Sequence, residues 1–160
     1  MEGLCFFNDI FEDIKGRLFG KFRIIRHLNE VQKLFKNNPE FVLGLVSPKL
    51  RKLLSDKLIK QGGKMVPIIA KSTCIGHYDV HLRDGINIMH SAMISNNVYI
   101  GNGTLINAYV SIHHDVIIGD YCEVSPHAVI LGGCNIGNFS SIGSNAAILP
   151  NINIGNNVIV

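Results

Sequence analysis

From Ile88 to Val160 an isoleucine or valine stands at every sixth position, at 88, 94, 100, 106, 112, 118, 124, 130, 136, 142, 148, 154 and 160, without a break. Four residues after each of the first twelve comes a small or β-branched residue, from Ala92 and Val98 through Cys122, Ala128 and Cys134 to Val158. Glycine follows the aliphatic position directly at 101, 119, 137, 143 and 155. A period this strict outranks local propensity, because each repeat can bury its apolar side only against its neighbours. The expected form is a parallel β-helix of triangular section. Each hexad supplies one short strand and one corner, and three hexads close a coil. The aliphatic side chains stack inward about 4.8 Å apart along the axis, and Gly or Asn accepts the dihedrals of the corners. Upstream, Ile69, Ile75, Leu82 and Ile86 fit an irregular first coil with a slip in phase.

The first seventy residues obey a different rule. Leu4–Phe7 and Phe41–Val46 are apolar runs that read as buried strands. His27 to Asn38 puts Leu28, Val31, Leu34 and Phe35 on one helical face and ends before Pro39. Ser47 is suited to cap a second helix with Pro48 in its first turn, Leu50, Leu53, Leu54 and Leu58 as its stripe, and Gly62-Gly63 as its stop. Met65–Ile69 completes a β-α-β-α-β order, the pattern of a small parallel α/β unit. The expected division is therefore 1–69, a Rossmann-like α/β domain, followed by 70–160, the β-helix.

Charge divides the same way. Met1 to Lys71 holds fourteen of the fifteen basic residues against seven acids, whereas Ser72 to Val160 holds Arg83 against five acids. The basic half could attract a nucleotide or phosphate. It has no dense Lys/Arg cluster with interleaved aromatics, so nucleic acid is not an expected partner. No apolar run is long enough to insert in a membrane, and the N-terminus does not resemble a signal peptide. The four cysteines lack metal-site spacing and read as reduced thiols of a cytoplasmic protein. Cys122 and Cys134 take the small inward position of their hexads, where packing is their expected role.

One corner stands out chemically. His113-His114-Asp115 lies between Ile112 and Ile118. A corner of a β-helix faces solvent and accepts almost any polar residue, so a lone histidine there carries little meaning. An imidazole with an ordinary pKa of about 6.5 is also suited to take a proton at cellular pH, and a neighbouring carboxylate can fix its tautomer. Two further readings compete with catalysis by this pair. A zinc enzyme of the γ-carbonic anhydrase kind needs histidines five apart, but 119 is Gly and 118 is Ile. No metal is expected. A non-catalytic β-helix scaffold is the other alternative.

The segments "KSTCIG", "NIMHSAMIS", "LINAYVSIHHDVIIGDYCEVSPHAVILGG" and "IGSNAAILPNINIG", behind a small α/β domain, resemble the bacterial sugar acyltransferases of the NeuD/PglD type. The resemblance implies a left-handed β-helix, a homotrimer with sites between neighbouring helices, and acetyl transfer from acetyl-CoA to a sugar amine or hydroxyl. The acceptor it implies is often a UDP-4-amino-dideoxysugar, for surface-glycan precursors; sialic acid or another sugar is an alternative acceptor. It makes His114 the general base and Asp115 its tuner. It sets Gly132, Gly143 and Ser144 against acetyl-CoA, and Asn8 and Asp9 against the nucleotide. Glu123 stands where relatives carry a second histidine near acetyl-CoA, and Val46 where a strand-end glycine is usual. Relative to the family pattern, the sequence is expected to lack a glycine-rich turn before its first strand and a final coil after Val160.

Overall fold

The computed structural model describes residues 3–9 and 16–160, which form two compact units: 3–9 and 16–40 with Lys57–Lys64, and Phe41–Asp56 with Met65–Val160.

The larger unit is built by the six-residue code. Its two-to-three-residue strands form three five-stranded sheets in which every neighbour is parallel. One contains Ile68–Ile69, Asn87–Ile88, Leu105–Ile106, Glu123–Val124 and Ser141–Ile142. Successive strands of a sheet come from successive coils, so Ile94 pairs with Ile112 and Ile112 with Ile130. This arrangement is consistent with a left-handed β-helix. The aliphatic positions from Ile88 to Ile148 are all buried, with Ile100, Ile112 and Ile118 wholly inaccessible. Burying one such side chain is worth about 1.5–3 kcal/mol, so the column contributes heavily to stability. The first coil carries the expected slip: Ile69 pairs with Ile88 and Ile75 with Ile94, nineteen residues apart, but Leu82 with Ile100, eighteen apart. The extra residue lies between Ile75 and Leu82.

The corners are equally regular. Every sixth residue from Asp79 to Asn157 has a φ between +52° and +75°. Three corner columns result. The first runs Asp79, Asn97, Asp115, Gly133, Asn151; the second Gly85, Gly103, Tyr121, Phe139, Asn157; the third Ser91, Tyr109, His127, Asn145. The glycines of the Ile-Gly-Asn and Ile-Gly-Asp triplets have a separate cause. The Asp120 carboxylate accepts from the Asn102 N–H at 2.6 Å, and the Asn138 side-chain carbonyl accepts from the Asp120 N–H at 2.7 Å. A Cβ at Gly101 or Gly119 would lie 2.5 or 2.3 Å from those same oxygens.

The inward polar side chains are all satisfied. Thr104 Oγ1 donates to the Gly119 carbonyl, Ser140 Oγ to that of Gly155, and the Cys122 thiol to that of Gly137. Burial pushes the Cys122 thiol up to about 11. That keeps it protonated and inert, in agreement with a packing role. All four cysteines are free.

Residues 41–56 depart from expectation. Phe41–Val46 does not form a strand across its length; only Glu40–Phe41 is extended in a ladder. Leu43 is buried with Met65 and Tyr121, against which Phe41, Leu54 and Phe139 also pack, while Val42 and Val46 are exposed. The following helix spans Pro48–Ile59 and begins at the proline as expected. Its face is rotated, however. Leu50 and Leu53 are exposed, and the buried positions are Arg51, Ser55 and Leu58. Spacing of three and four is preserved, but the residues on that face are partly polar, which an apolar stripe cannot reveal.

The smaller unit does not form a Rossmann-like domain among its described residues. β1 (Cys5–Phe7) pairs parallel with β3 (Phe22–Ile25), and β2 (Arg17–Leu18) lies antiparallel on the other side of β3. The hairpin of β2 and β3 lies in a stretch for which no element was expected, between the first expected strand and the first expected helix. α1 (Leu28–Phe35) forms within the expected range and buries Val31. Gly62, at φ +92°, ends the second helix as expected, donating its N–H to the Ile59 carbonyl.

Candidate active site

The first corner column brings three of the expected site residues together. Asp115 occupies the left-handed position at φ +60°, a conformation that Asp tolerates better than most residues. Its Oδ2 lies 2.6 Å from His114 Nδ1. An ionised carboxylate only accepts, so Nδ1 is the donor and Nε2 is the nitrogen left with a lone pair. The two side chains are 66% and 53% exposed, so the ring faces open space.

Asp115 is held from its other side as well. The Asn97 amide, one coil earlier, donates to Oδ1. The imidazole bond first, and the Asn97 bond second, hold the Asp115 carboxyl below its usual range. Gly132 is one coil later than His114. A Cβ there would meet Cε1, Nε2 and Nδ1 of the ring at 2.7, 2.9 and 3.2 Å, so only glycine lets the imidazole lie in this place. The next residue, Gly133, gives its N–H to the His114 carbonyl at 3.1 Å, which commits that group to the coil.

The remaining expected residues lie elsewhere. Gly143 and Ser144 approach the third corner column, next to Asn145; the Gly143 N–H donates to the Val160 carbonyl, and Ser144 is exposed. Glu123 lies on a sheet face with 5% exposure. Asn107 Nδ2 donates to its Oε1 at 2.6 Å and Ser125 Oγ to both oxygens at 2.9 and 3.0 Å. Burial raises the Glu123 carboxyl above its usual range, opposed by the Ser125 and Asn107 bonds and by the positive field of Arg51. Asn8 and Asp9 follow β1 in the smaller unit, where Asp9 pairs with Lys57 and the Asn8 N–H donates to the Ile25 carbonyl.

Other histidines form different structures. His127 stacks on Tyr109 at 4.8 Å between centroids, and His90 meets the same ring edge-on. His81 Nε2 lies 2.6 Å from Asp79, a second imidazole-carboxylate pair of opposite ring orientation. Among the described residues no group of three or more His, Cys, Asp or Glu side chains is arranged to hold a metal. No described helix is long and apolar enough to cross a membrane. Sequence reasoning overlooked Asn97, Asn107 and Ser125. For Asn97 the signal was available: it precedes Asp115 by eighteen residues, one coil.

Residues 97–132 match the model of the bacterial transferase hexapeptide (six repeats). Comparison with curated protein sequences gives no match. Among solved structures the chain is similar to a mutant perosamine N-acetyltransferase from Caulobacter crescentus in complex with CoA and GDP-perosamine. That pair has 22% identity and a TM-score of 0.85, over 92% of this chain and 70% of the other. It is also similar to the acetyltransferase domain of PglB from Neisseria gonorrhoeae, with 18% identity and a TM-score of 0.81, over 94% and 73%. WeeI from Acinetobacter baumannii is a third, with 20% identity and a TM-score of 0.71, over 98% and 81%. At these identities the likeness is one of fold.

Proposed function

We propose that the chain is an acetyl-CoA-dependent acetyltransferase of the NeuD/PglD kind, acting on the amine or hydroxyl of a nucleotide-activated sugar. The observation that carries this reading is the His114–Asp115 pair set over Gly132 at an open corner. The hexapeptide match and the fold shared with sugar acetyltransferases support it. The acceptor is a UDP- or GDP-linked amino-dideoxysugar, the protein is cytoplasmic, and it works as a homotrimer of left-handed β-helices.

An amine or hydroxyl attacks a thioester carbonyl effectively only as it loses its proton. Nε2 of His114 takes that proton while the new N–C or O–C bond forms and the C–S bond breaks. Asp115 keeps Nδ1 protonated and stabilises the resulting imidazolium. The sulfur leaves as a thiolate, so no strong acid is needed to expel it. Gly132 makes room for the ring and leaves no side chain to obstruct the approach. Gly143 and Ser144 contact acetyl-CoA, Glu123 lies near its acyl end, and Asn8 and Asp9 contact the nucleotide.

The test is CoA release from acetyl-CoA with a panel of UDP- and GDP-linked amino sugars. Release that requires both substrates, and that falls in His114→Ala by about 10²–10⁴-fold, is expected for loss of a general base. No sugar-dependent release with any member of the panel overturns the activity. Full activity in His114→Ala overturns the assigned base.

A further inference from the structure

We infer that Asn97 is a positioning residue for the proposed base, completing an Asn97–Asp115–His114 chain across two coils of the first corner column. The inference rests on the acetyltransferase reading only for its kinetic consequence; the geometry stands apart from it. Asp115 has two carboxylate oxygens and each has a distinct partner. Oδ2 takes the His114 Nδ1–H, and Oδ1 takes the Asn97 amide. A carboxylate held at one oxygen can rotate about its last torsion, which is broad and soft. One held at both oxygens has its plane fixed, and with it the plane of the ring it orients. Because both side chains of the pair are exposed, no packing fixes them instead.

Backbone conformation alone does not account for Asn97. It has φ +54°, and Asn suits that position, but Ser, Tyr, His and Phe fill the same position in other hexads. Its own N–H already donates to the Tyr78 carbonyl, so the side chain is not needed to satisfy the turn. The amide contributes the donor that Asp115 Oδ1 otherwise lacks within the corner. The second imidazole-carboxylate pair is joined through the other ring nitrogen: Asp79 Oδ1 meets His81 Nε2. Among the described residues, an imidazole-carboxylate pair that leaves Nε2 free is found at the corner where Asn97, Asp115 and Gly132 meet.

Two substitutions separate the hydrogen bond from the backbone. Asn97→Gly keeps the positive φ at no steric cost and removes the donor. Asn97→Asp keeps an αL-tolerant side chain but sets a second negative charge against Asp115, which favours the protonated form of the pair. With acetyl-CoA and the active sugar nucleotide, Asn97→Gly is expected to lower kcat about tenfold, a loosening smaller than the 10²-fold cost of a misplacement of about 1 Å. The KM for acetyl-CoA should stay unchanged. Asn97→Asp should move the acid limb of the kcat/KM profile to higher pH. A readout independent of activity is the nitrogen spectrum of the His114 imidazole at alkaline pH. The wild type should carry its proton on Nδ1, and Asn97→Gly should shift population toward Nε2–H. An unchanged tautomer and unchanged kcat in Asn97→Gly overturn the inference even if His114 proves to be the base. A tautomer shift in a protein with no transferase activity upholds the positioning role and overturns only the proposed function.

Discussion

Two corners of the same β-helix share a backbone and differ in almost everything else. Asp115 at φ +60° and Tyr121 at φ +52° are successive left-handed positions, six residues apart. At Asp115 the surface is open and polar, and a glycine one coil later makes room for an imidazole. At Tyr121 the corner is covered. Its ring stacks on Phe139 at 5.7 Å, packs with Leu43 and Met65, and hydrogen-bonds Ser55 of the helix that begins at Pro48. Arg51 has no exposed surface: Nε and Nη2 both donate to the Gly103 carbonyl, at 2.8 and 2.6 Å, and Nη1 donates to that of Leu45 at 2.7 Å. The repeat thus determines the backbone of every corner, and the residues that break the repeat determine whether a corner is a packing surface or a site. Bulky αL residues are strained, so Tyr121 persists there because its neighbours hold it.

The largest expected effect is at the covered corner. Arg51→Leu strands the buried Gly103 carbonyl and leaves the half-buried Leu45 carbonyl without its donor. At about 1–3 kcal/mol for each orphaned group, urea denaturation should show a loss of roughly 2–6 kcal/mol. Burial lowers the Arg51 pKa to about 10, still charged at neutral pH, so the loss should be nearly independent of pH between about 6 and 8.

Matched glycine substitutions sharpen the comparison. A Cβ at Gly103 would meet the Tyr121 ring at 2.5 Å in a residue already at φ +62°, and that ring is confined. Gly103→Ala should therefore cost about 2 kcal/mol by overpacking and backbone strain. A Cβ at Gly132 would meet the His114 ring at 2.7 Å, but that ring can swing into solvent. Gly132→Ala should leave the melting temperature within about 2 °C of wild type while reducing turnover at least about tenfold. Equal stability losses at both corners would break the distinction.

Much of this fold is legible because the six-residue period is redundant: thirteen aliphatic positions repeat one instruction. The helix at Pro48 is legible from its proline and its glycine stop. Its buried face is not, since Leu50 and Leu53 advertise an apolar stripe whereas Arg51 and Ser55 find their partners on the β-helix. Phe41–Val46 misleads for the same reason: an apolar run can pack through Leu43 alone without joining a sheet. His114 and Asp115 are adjacent in sequence and could be paired by reading. Asn97 and Gly132 join them only once the chain is wound at eighteen residues per coil.

Smaller effects test the frame itself. Ile118→Val removes one methyl from a wholly buried column position and should cost about 1 kcal/mol. Glu123→Gln tests the buried carboxylate. Its folded pKa is raised by burial, so the charged form opposes folding above that pKa, and the penalty is relieved as pH falls toward the ordinary value of 4.5. Replacing it should raise the melting temperature at neutral pH by about 1–3 °C and flatten its dependence on pH in the acidic range.

The most direct test of the central claim compares the two imidazole-carboxylate pairs. CoA release with acetyl-CoA and the active sugar nucleotide is measured for His114→Asn and His81→Asn. A loss of at least about 10²-fold is expected for the first and a rate within about twofold of wild type for the second. Retained turnover in His114→Asn, or an equal loss in both variants, would contradict it.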